Sequence, residues 1–186
     1  LIPPASLAVT TTLTITTSGV SNLTVAALVA GIMNIATASG ASSALVTVTQ
    51  TVAISATLPD SVSEAAMAIA LQVLLCGDSA ACTVVSGGTE GRRRYLLSTT
   101  TYELVRLVDA GDDSSDGLAA PAVDTAALAA YLGTASELRL TTAVEAITAT
   151  VTLAVSDGSR SSPAAVANTL ASASILASDL GSALGL

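Results

Sequence analysis

Val46–Ala56 reads VTVTQTVAISA, and the alternation of apolar and small polar residues in this stretch decides the fold. In an extended chain Val46, Val48, Val52 and Ile54 share one face, while Thr and Ser occupy most of the other. This period of two predicts a strand over residues 44–56 that buries one face. Because Thr is β-branched, the polar face also favours a strand.

Other stretches of the chain repeat this pattern. Leu7–Ile15 reads LAVTTTLTI, and Ile147–Val155 reads ITATVTLAV. The alternation predicts strands over residues 7–15 and 141–155, and shorter strand-like runs predict two more over 82–86 and 98–108.

Apolar segments with helix-start and helix-stop residues follow most of these strands. They predict helices over residues 23–37, 62–75, 124–132 and 163–178. The second opens with Ser61-Val-Ser-Glu64, interpreted as a capping box, and stops at Gly77. The third begins near Asp124 and stops at Gly133, and the fourth opens with Pro in its first turn.

The order of these segments predicts an α+β fold made of repeated strand–loop–helix units. Residues 44–156 form a central βαββαβ domain, the ferredoxin-like arrangement. Two incomplete units flank it. Residues 1–43 are predicted to form a strand–helix arm that could be donated to a neighbour, and residues 157–186 a C-terminal helical segment.

The charge distribution is unusual. The first 59 residues carry no charged side chain, and the chain has no His and no Lys; its net charge is −8. Charged residues make up 11% and hydrophobic residues 51%, whereas about a quarter of the residues in a typical domain are charged. The surface is therefore expected to be covered by Thr, Ser, glycan or another protein. An acidic chain does not suit nucleic acid.

A membrane span is not predicted. The best candidate, Leu23–Ala36, reads LTVAALVAGIMNIA. It is shorter than the roughly 18 apolar residues that a span needs, and it contains Thr24 and Asn34. We interpret it as a buried amphipathic helix.

Catalytic groups are scarce. Without His and Lys, the commonest general base and the Schiff-base amine are absent. The glutamates are scattered, and the nucleophile elbow, the P-loop and the dinucleotide fingerprint are missing. The sequence therefore predicts no enzyme, no catalytic residue, no metal site and no cofactor.

The two cysteines and one sequon suggest a secreted protein. Cys76 and Cys82 enclose five residues, which fits neither a redox nor a zinc motif. A local disulfide in an oxidising compartment is expected, the alternative being two buried thiols. Asn22-Leu-Thr24 is an N-glycosylation sequon. The chain begins at Leu1 with no visible signal peptide, so a mature product or a fragment is expected.

Two loops could bind ligands. Arg92, Arg93 and Arg94 lie at the predicted hairpin tip and could bind sulfate or acidic glycan, or be a processing site. The stretch Asp109–Asp116 contains four Asp and could bind calcium, although it lacks the EF-hand spacing. The alternative for each is a solvated loop.

The stretch Val46–Arg106 carries a family resemblance. It contains VTVTQTVAISATLPDSVSEAAMAIALQVLLCGDSAAC and then TVVSGGTEGRRRYLLSTTTYELVR. It resembles modules of large secreted and cell-surface glycoproteins of algae and other protists. In those modules a Thr-rich strand, a capped helix, a Cys pair and a G-R-R-R-L-L hairpin recur in tandem. Here Tyr95 is inserted after the Arg run. The resemblance covers about a third of the chain and implies an extracellular structural role, such as a fibre or mastigoneme-like appendage.

These observations predict a subunit of an extracellular glycoprotein filament, with the chain itself and covalent glycans as partners. Leu7, Val9, Leu13 and Ile15 are the candidate assembly residues. Burying four such side chains contributes about 6–10 kcal/mol before ordering costs. A lone strand needs a sheet edge, in its own chain or in a neighbour. The alternative is a monomeric adhesion module for anionic glycan or calcium.

Overall fold

A computed structural model describes residues 7–15, 24–90, 98–109, 118–135 and 138–155, and residues 162, 164, 165, 168, 169 and 172. The chain has a mixed α+β fold, as predicted. The strands are β1 (Leu7–Ile15), β2 (Ser43–Leu58), β3 (Cys82–Glu90), β4 (Ser98–Val108) and β5 (Arg139–Val155). The helices are α1 (Val25–Ala38), α2 (Glu64–Leu71) and α3 (Thr125–Leu132).

The strands form one sheet in the order β1-β5-β2-β4-β3. β1 pairs antiparallel with β5, and β3 pairs antiparallel with β4. β1 and α1, the two elements that precede the central domain, differ in their relation to the sheet. β1 stands at one end of the strand order, whereas α1 joins β1 to β2 along the chain.

The alternation predicted for β2 is confirmed, because its apolar side is the buried side of the strand. Every second residue from Val46 to Leu58 is buried, and the intervening residues from Thr49 to Thr57 are half-buried. One inward position is polar, because Gln50 lies in the row of buried residues.

Side-chain caps fix where the helices begin. Thr24 caps α1 by accepting a hydrogen bond from the Ala27 amide at 3.1 Å. Asp124 caps α3 by accepting from two backbone amides at 2.9 and 3.0 Å. Gly133 ends α3 with φ of 63°, a left-handed conformation that costs glycine little.

The start of α2 corrects one sequence interpretation. Ser63, not Ser61, is the cap, and its Oγ accepts from the Ala66 amide at 3.2 Å. With Ser63 as the cap, Glu64 is the first helical residue and cannot complete a capping box. The helix then widens into a π-helical turn, Gln72–Cys76, and Gly77 ends it with φ of 55°.

The chain divides into two compact units. Unit 1 comprises residues 1–49, 108–118 and 147–186, and unit 2 comprises residues 50–107 and 119–146. The core of unit 2 joins β2 residues from Val52 onward to Met67 and Leu71 of α2, Tyr102 of β4 and Leu128 of α3. Within unit 1, α1 buries one stripe along its length. Its buried residues are Val25, Leu28, Gly31, Ile32, Ile35 and Ala36.

The inward face of β5 changes parity along the strand. Leu140 and Val144, at even positions, pack against the unit 2 core. From Ile147 to Val155 the buried residues are at odd positions instead. The more buried positions thus change from even to odd between Val144 and Ile147.

Few of residues 157–186 are described. Residues 164–165 and 168–169 are helical, and the Ser162 Oγ accepts from the Ala165 amide at 3.2 Å. The predicted domains 1–43, 44–156 and 157–186 stay predictions.

Candidate assembly surface

The edge pairing of β1 is the first feature that could support assembly. Nine consecutive residues of β1 are register partners of nine residues of β5, from Leu7 with Val155 to Ile15 with Ile147. The pairing has no register shift, so every residue of β1 has a partner.

The register matches the apolar pattern of β1 to the buried face of β5. Leu7, Val9, Leu13 and Ile15 are the partners of Val155, Leu153, Ala149 and Ile147 respectively. These four β5 residues are at most 4% exposed. The four predicted assembly residues are thus the register partners of buried β5 residues. The exception on this side is Thr11, the partner of buried Val151.

The alternate positions form a threonine ladder. Thr10, Thr12 and Thr14 are the register partners of Thr152, Thr150 and Thr148. The three β5 threonines are half-buried. Cross-strand Thr–Thr pairs typically stabilise a sheet by about 0.2–1 kcal/mol each. The register therefore separates an apolar row from a threonine row, and a slip by one residue would oppose the two.

The start of β2 is also tied to β5. The Ser42 amide and the Ser42 Oγ both donate to the Ala154 carbonyl oxygen, each at 2.8 Å. Ala154 is the register partner of Ala8 on β1. The end of β5 is therefore held by Ser42, the residue that precedes β2, as well as by β1.

In unit 2 the predicted disulfide is present. Cys76 and Cys82 are bonded, with their Cα atoms 5.3 Å apart, and both residues are buried. The bond joins the end of the π-helical turn to the first residue of β3. Among the described residues no free cysteine remains.

Gln72 makes a second link between the π-helical turn and β3. Its Nε2 donates to the Cys82 carbonyl oxygen at 3.2 Å, and its Oε1 accepts from the Val84 amide at 2.7 Å. Sequence reasoning missed this link, because a glutamine at the end of an apolar helix carries no periodic signal. The partners come ten and twelve residues later in the chain.

A polar network ties β2 and β4 to the segment after the acidic loop. The Arg106 Nε donates to the Gln50 Oε1 at 2.8 Å. The Ala119 carbonyl oxygen accepts from the Gln50 Nε2 at 3.1 Å and from the Arg106 Nη2 at 3.3 Å. Gln50 is fully buried, so the network supplies partners that water cannot.

Among the described residues of unit 2, Tyr102 has a strongly shifted pKa. Its ring is buried in the core, and its hydroxyl donates to the Glu64 carbonyl oxygen at 3.3 Å. Burial, and to a lesser extent the negative charge of Glu64, raises the pKa of Tyr102 from 10.0 to about 12. Both effects disfavour the phenolate.

Other predicted sites lie wholly or mostly outside the described residues. They are Asn22, the loop Arg92, Arg93 and Arg94, and the acidic loop apart from Asp109. In the part of the chain that the structure describes, no group of three or more acidic or cysteine side chains could hold a metal ion. None of the described helices combines the length and the apolar character that crossing a membrane requires.

Comparisons with known proteins do not place the chain in a family. No protein-family model, no curated protein and no solved structure matches it.

Proposed function

We propose that this protein is a structural subunit of an extracellular glycoprotein filament. Subunits join head to tail because β1 of one subunit pairs with β5 of the next. The observation that carries the proposal is the uninterrupted nine-residue pairing of an end strand with β5. Strand addition at a sheet edge is a known mode of assembly, and a repeated head-to-tail contact that does not close gives a filament.

Exchange of β1 between subunits conserves its contacts. The same register pairs form whether β1 binds its own β5 or that of a neighbour, so the two states differ little in contact energy. Eight residues separate Ile15 from Thr24, and an extended chain between those two residues spans at most about 32 Å. Pairing between chains must compete with pairing within one chain, for which the effective concentration of β1 is on the order of millimolar. Assembly is therefore expected to increase with protein concentration.

Covalent chemistry supports an extracellular or cell-surface location. The Cys76–Cys82 disulfide suits an oxidising compartment. The sequon at Asn22 and the charge-poor, Thr-rich sequence suit a glycoprotein that is covered by sugar or by its own copies. The lack of His and Lys favours a structural role over catalysis.

We further propose that residues 44–156 form a ferredoxin-like domain, to which flanking units are added. The element order β2-α2-β3-β4-α3-β5 and the strand order β5-β2-β4-β3 both support it. In this arrangement β1 is an extra strand beside β5, as an added or exchanged strand would be.

The test uses an engineered crosslink between register partners. Thr10→Cys together with Thr152→Cys places two cysteines at directly opposite positions of β1 and β5. Concentrated protein is oxidised mildly and separated on a denaturing gel without reductant. Exchange between subunits gives a covalent ladder of multimers, whereas pairing within one chain gives a monomer band.

Matched controls make the result specific. The single variant Thr10→Cys can crosslink at most two chains through its new thiol, so it cannot give a ladder. Leu13→Asp should abolish assembly, because its partner Ala149 is buried, and Thr12→Asp should retain it, because its partner Thr150 is half-buried. A monomer band at every concentration, or filaments from a protein that lacks residues 1–16, would overturn the proposal. A monomer with ligand-dependent stability would instead favour the adhesion module.

A further inference from the structure

Gln72 occupies hydrogen-bonding groups at the free side of β3. β3 ends the strand order, with β4 on its other side. The Gln72 amide bonds to the carbonyl oxygen of Cys82 and to the amide of Val84, two residues apart on the same strand. A residue in a parallel strand would bond to the same two groups, so one side chain imitates one residue of a neighbouring strand.

Two features hold Gln72 in place for this role. Gln72 is the first residue of the π-helical turn, and Cys76 is the last. Cys76 is covalently bonded to Cys82, the residue whose carbonyl oxygen Gln72 binds. The π-helical turn is thus attached to the start of β3 through Gln72 at its first residue and through the Cys76 disulfide at its last. These two links limit how far the Gln72 side-chain amide can move away from β3.

The remainder of β3 is distorted by a bulge. The register between β3 and β4 shifts between Ser86 and Gly88. At Gly87 a Cβ atom would lie 3.2 Å from the Thr101 Oγ1, so this position suits glycine. Bulges and short capped stretches are devices by which edge strands avoid pairing with other chains.

We propose that Gln72 is an edge cap that closes the Cys82–Val84 stretch of β3 to strand addition by a second copy of this chain. The bulge at Gly87 deters pairing further along the strand. If the proposed filament forms, the cap leaves the β1–β5 end of the strand order as the place where strands are exchanged. That last step rests on the proposed function, and the cap itself does not.

The direct test is hydrogen exchange of the Val84 amide in the full chain. Gln72→Leu keeps the size of the side chain and removes both hydrogen bonds. We expect the Val84 amide to exchange about tenfold faster, the factor that corresponds to about 1.4 kcal/mol. Val73→Ala, which changes the adjacent exposed residue, should leave the rate unchanged. Gln72→Glu keeps the acceptor for Val84 and should retain most of the protection.

The second readout is association, measured by light scattering and electron microscopy. If the wild-type protein forms filaments, Gln72→Leu should make those filaments bundle side by side. If the wild-type protein is monomeric, the filament proposal fails, and Gln72→Leu should still form dimers. In both cases Val73→Ala should behave as wild type. Unchanged Val84 exchange in Gln72→Leu would overturn the cap, as would faster exchange without any new association.

Discussion

The alkaline stability of this protein should report on one buried tyrosine. The chain has no Lys, its two cysteines are bonded to each other, and Arg does not titrate below about pH 12. Tyrosine is therefore the residue type to consider at alkaline pH, and the chain has three. Among the described residues, Tyr102 is the tyrosine buried in the unit 2 core.

The sign and size of the effect follow from its pKa. Burial and Glu64 raise the pKa of Tyr102 to about 12 from 10.0. Between those pH values the unfolded state has lost the proton and the folded state has kept it, so the free energy of unfolding falls as pH rises. A shift of two units corresponds to a total loss of about 2–3 kcal/mol. The stabilising effect is fully present below pH 10 and is lost by pH 12.

The perturbation is Tyr102→Phe, and the assay is urea unfolding at a series of pH values. At pH 7 the variant should lose about 0.5–1.5 kcal/mol, because the hydrogen bond to the Glu64 carbonyl oxygen is gone. At alkaline pH it should lose less stability than wild type, so the two curves converge. Tyr131→Phe, which removes the hydroxyl of a half-exposed tyrosine, is the matched control. Parallel curves for wild type and Tyr102→Phe up to pH 12 would refute the reasoning.

Further predictions concern the disulfide, the buried glutamine and a helix cap. Replacing Cys76 and Cys82 with Ala should lower the free energy of unfolding by about 2 kcal/mol, because the closed loop is short; an unchanged urea midpoint would contradict this. Gln50→Leu should lower the free energy of unfolding by about 1–3 kcal/mol, since the Arg106 Nε loses its acceptor. In thermal unfolding, the double variant Gln50→Leu/Arg106→Leu should recover part of the stability that Gln50→Leu loses. Asp124→Ala should cost about 0.5–2 kcal/mol, measured by urea unfolding, while Asp124→Ser should cost less because Ser also caps.

Much of the fold could be predicted from local patterns. Alternation located β1 at its observed bounds and β2 to within two residues at its C-terminal end, because one side of each pattern is strongly apolar. The stop at Gly133 was also predictable, because a left-handed helix end favours glycine. The start of α2 was not, since the capping-box pattern favours Ser61 in the sequence, whereas Ser63 is the cap in the structure.

Features that depend on distant partners could not be predicted. The contrast between alternate residues is weak before Ile147, so the parity change in β5 left no clear signal. Gln50 did interrupt an apolar row, which marked it as unusual, but nothing local identified Arg106 as its partner. The pattern of β1 showed an apolar face, and only the register with β5 showed which edge receives it.

The paired segments of β1 and β5 contain no acidic or basic side chain. Because these segments carry no charges to screen or titrate, ionic strength and moderate pH changes should have little direct effect on the β1–β5 contact. This holds whether the contact forms within one chain or between two chains. Salts such as sulfate, which strengthen burial of apolar groups, should tighten it, and cooling should loosen it. Material held together in this way would withstand brine and mild acid, and it would yield first to denaturant.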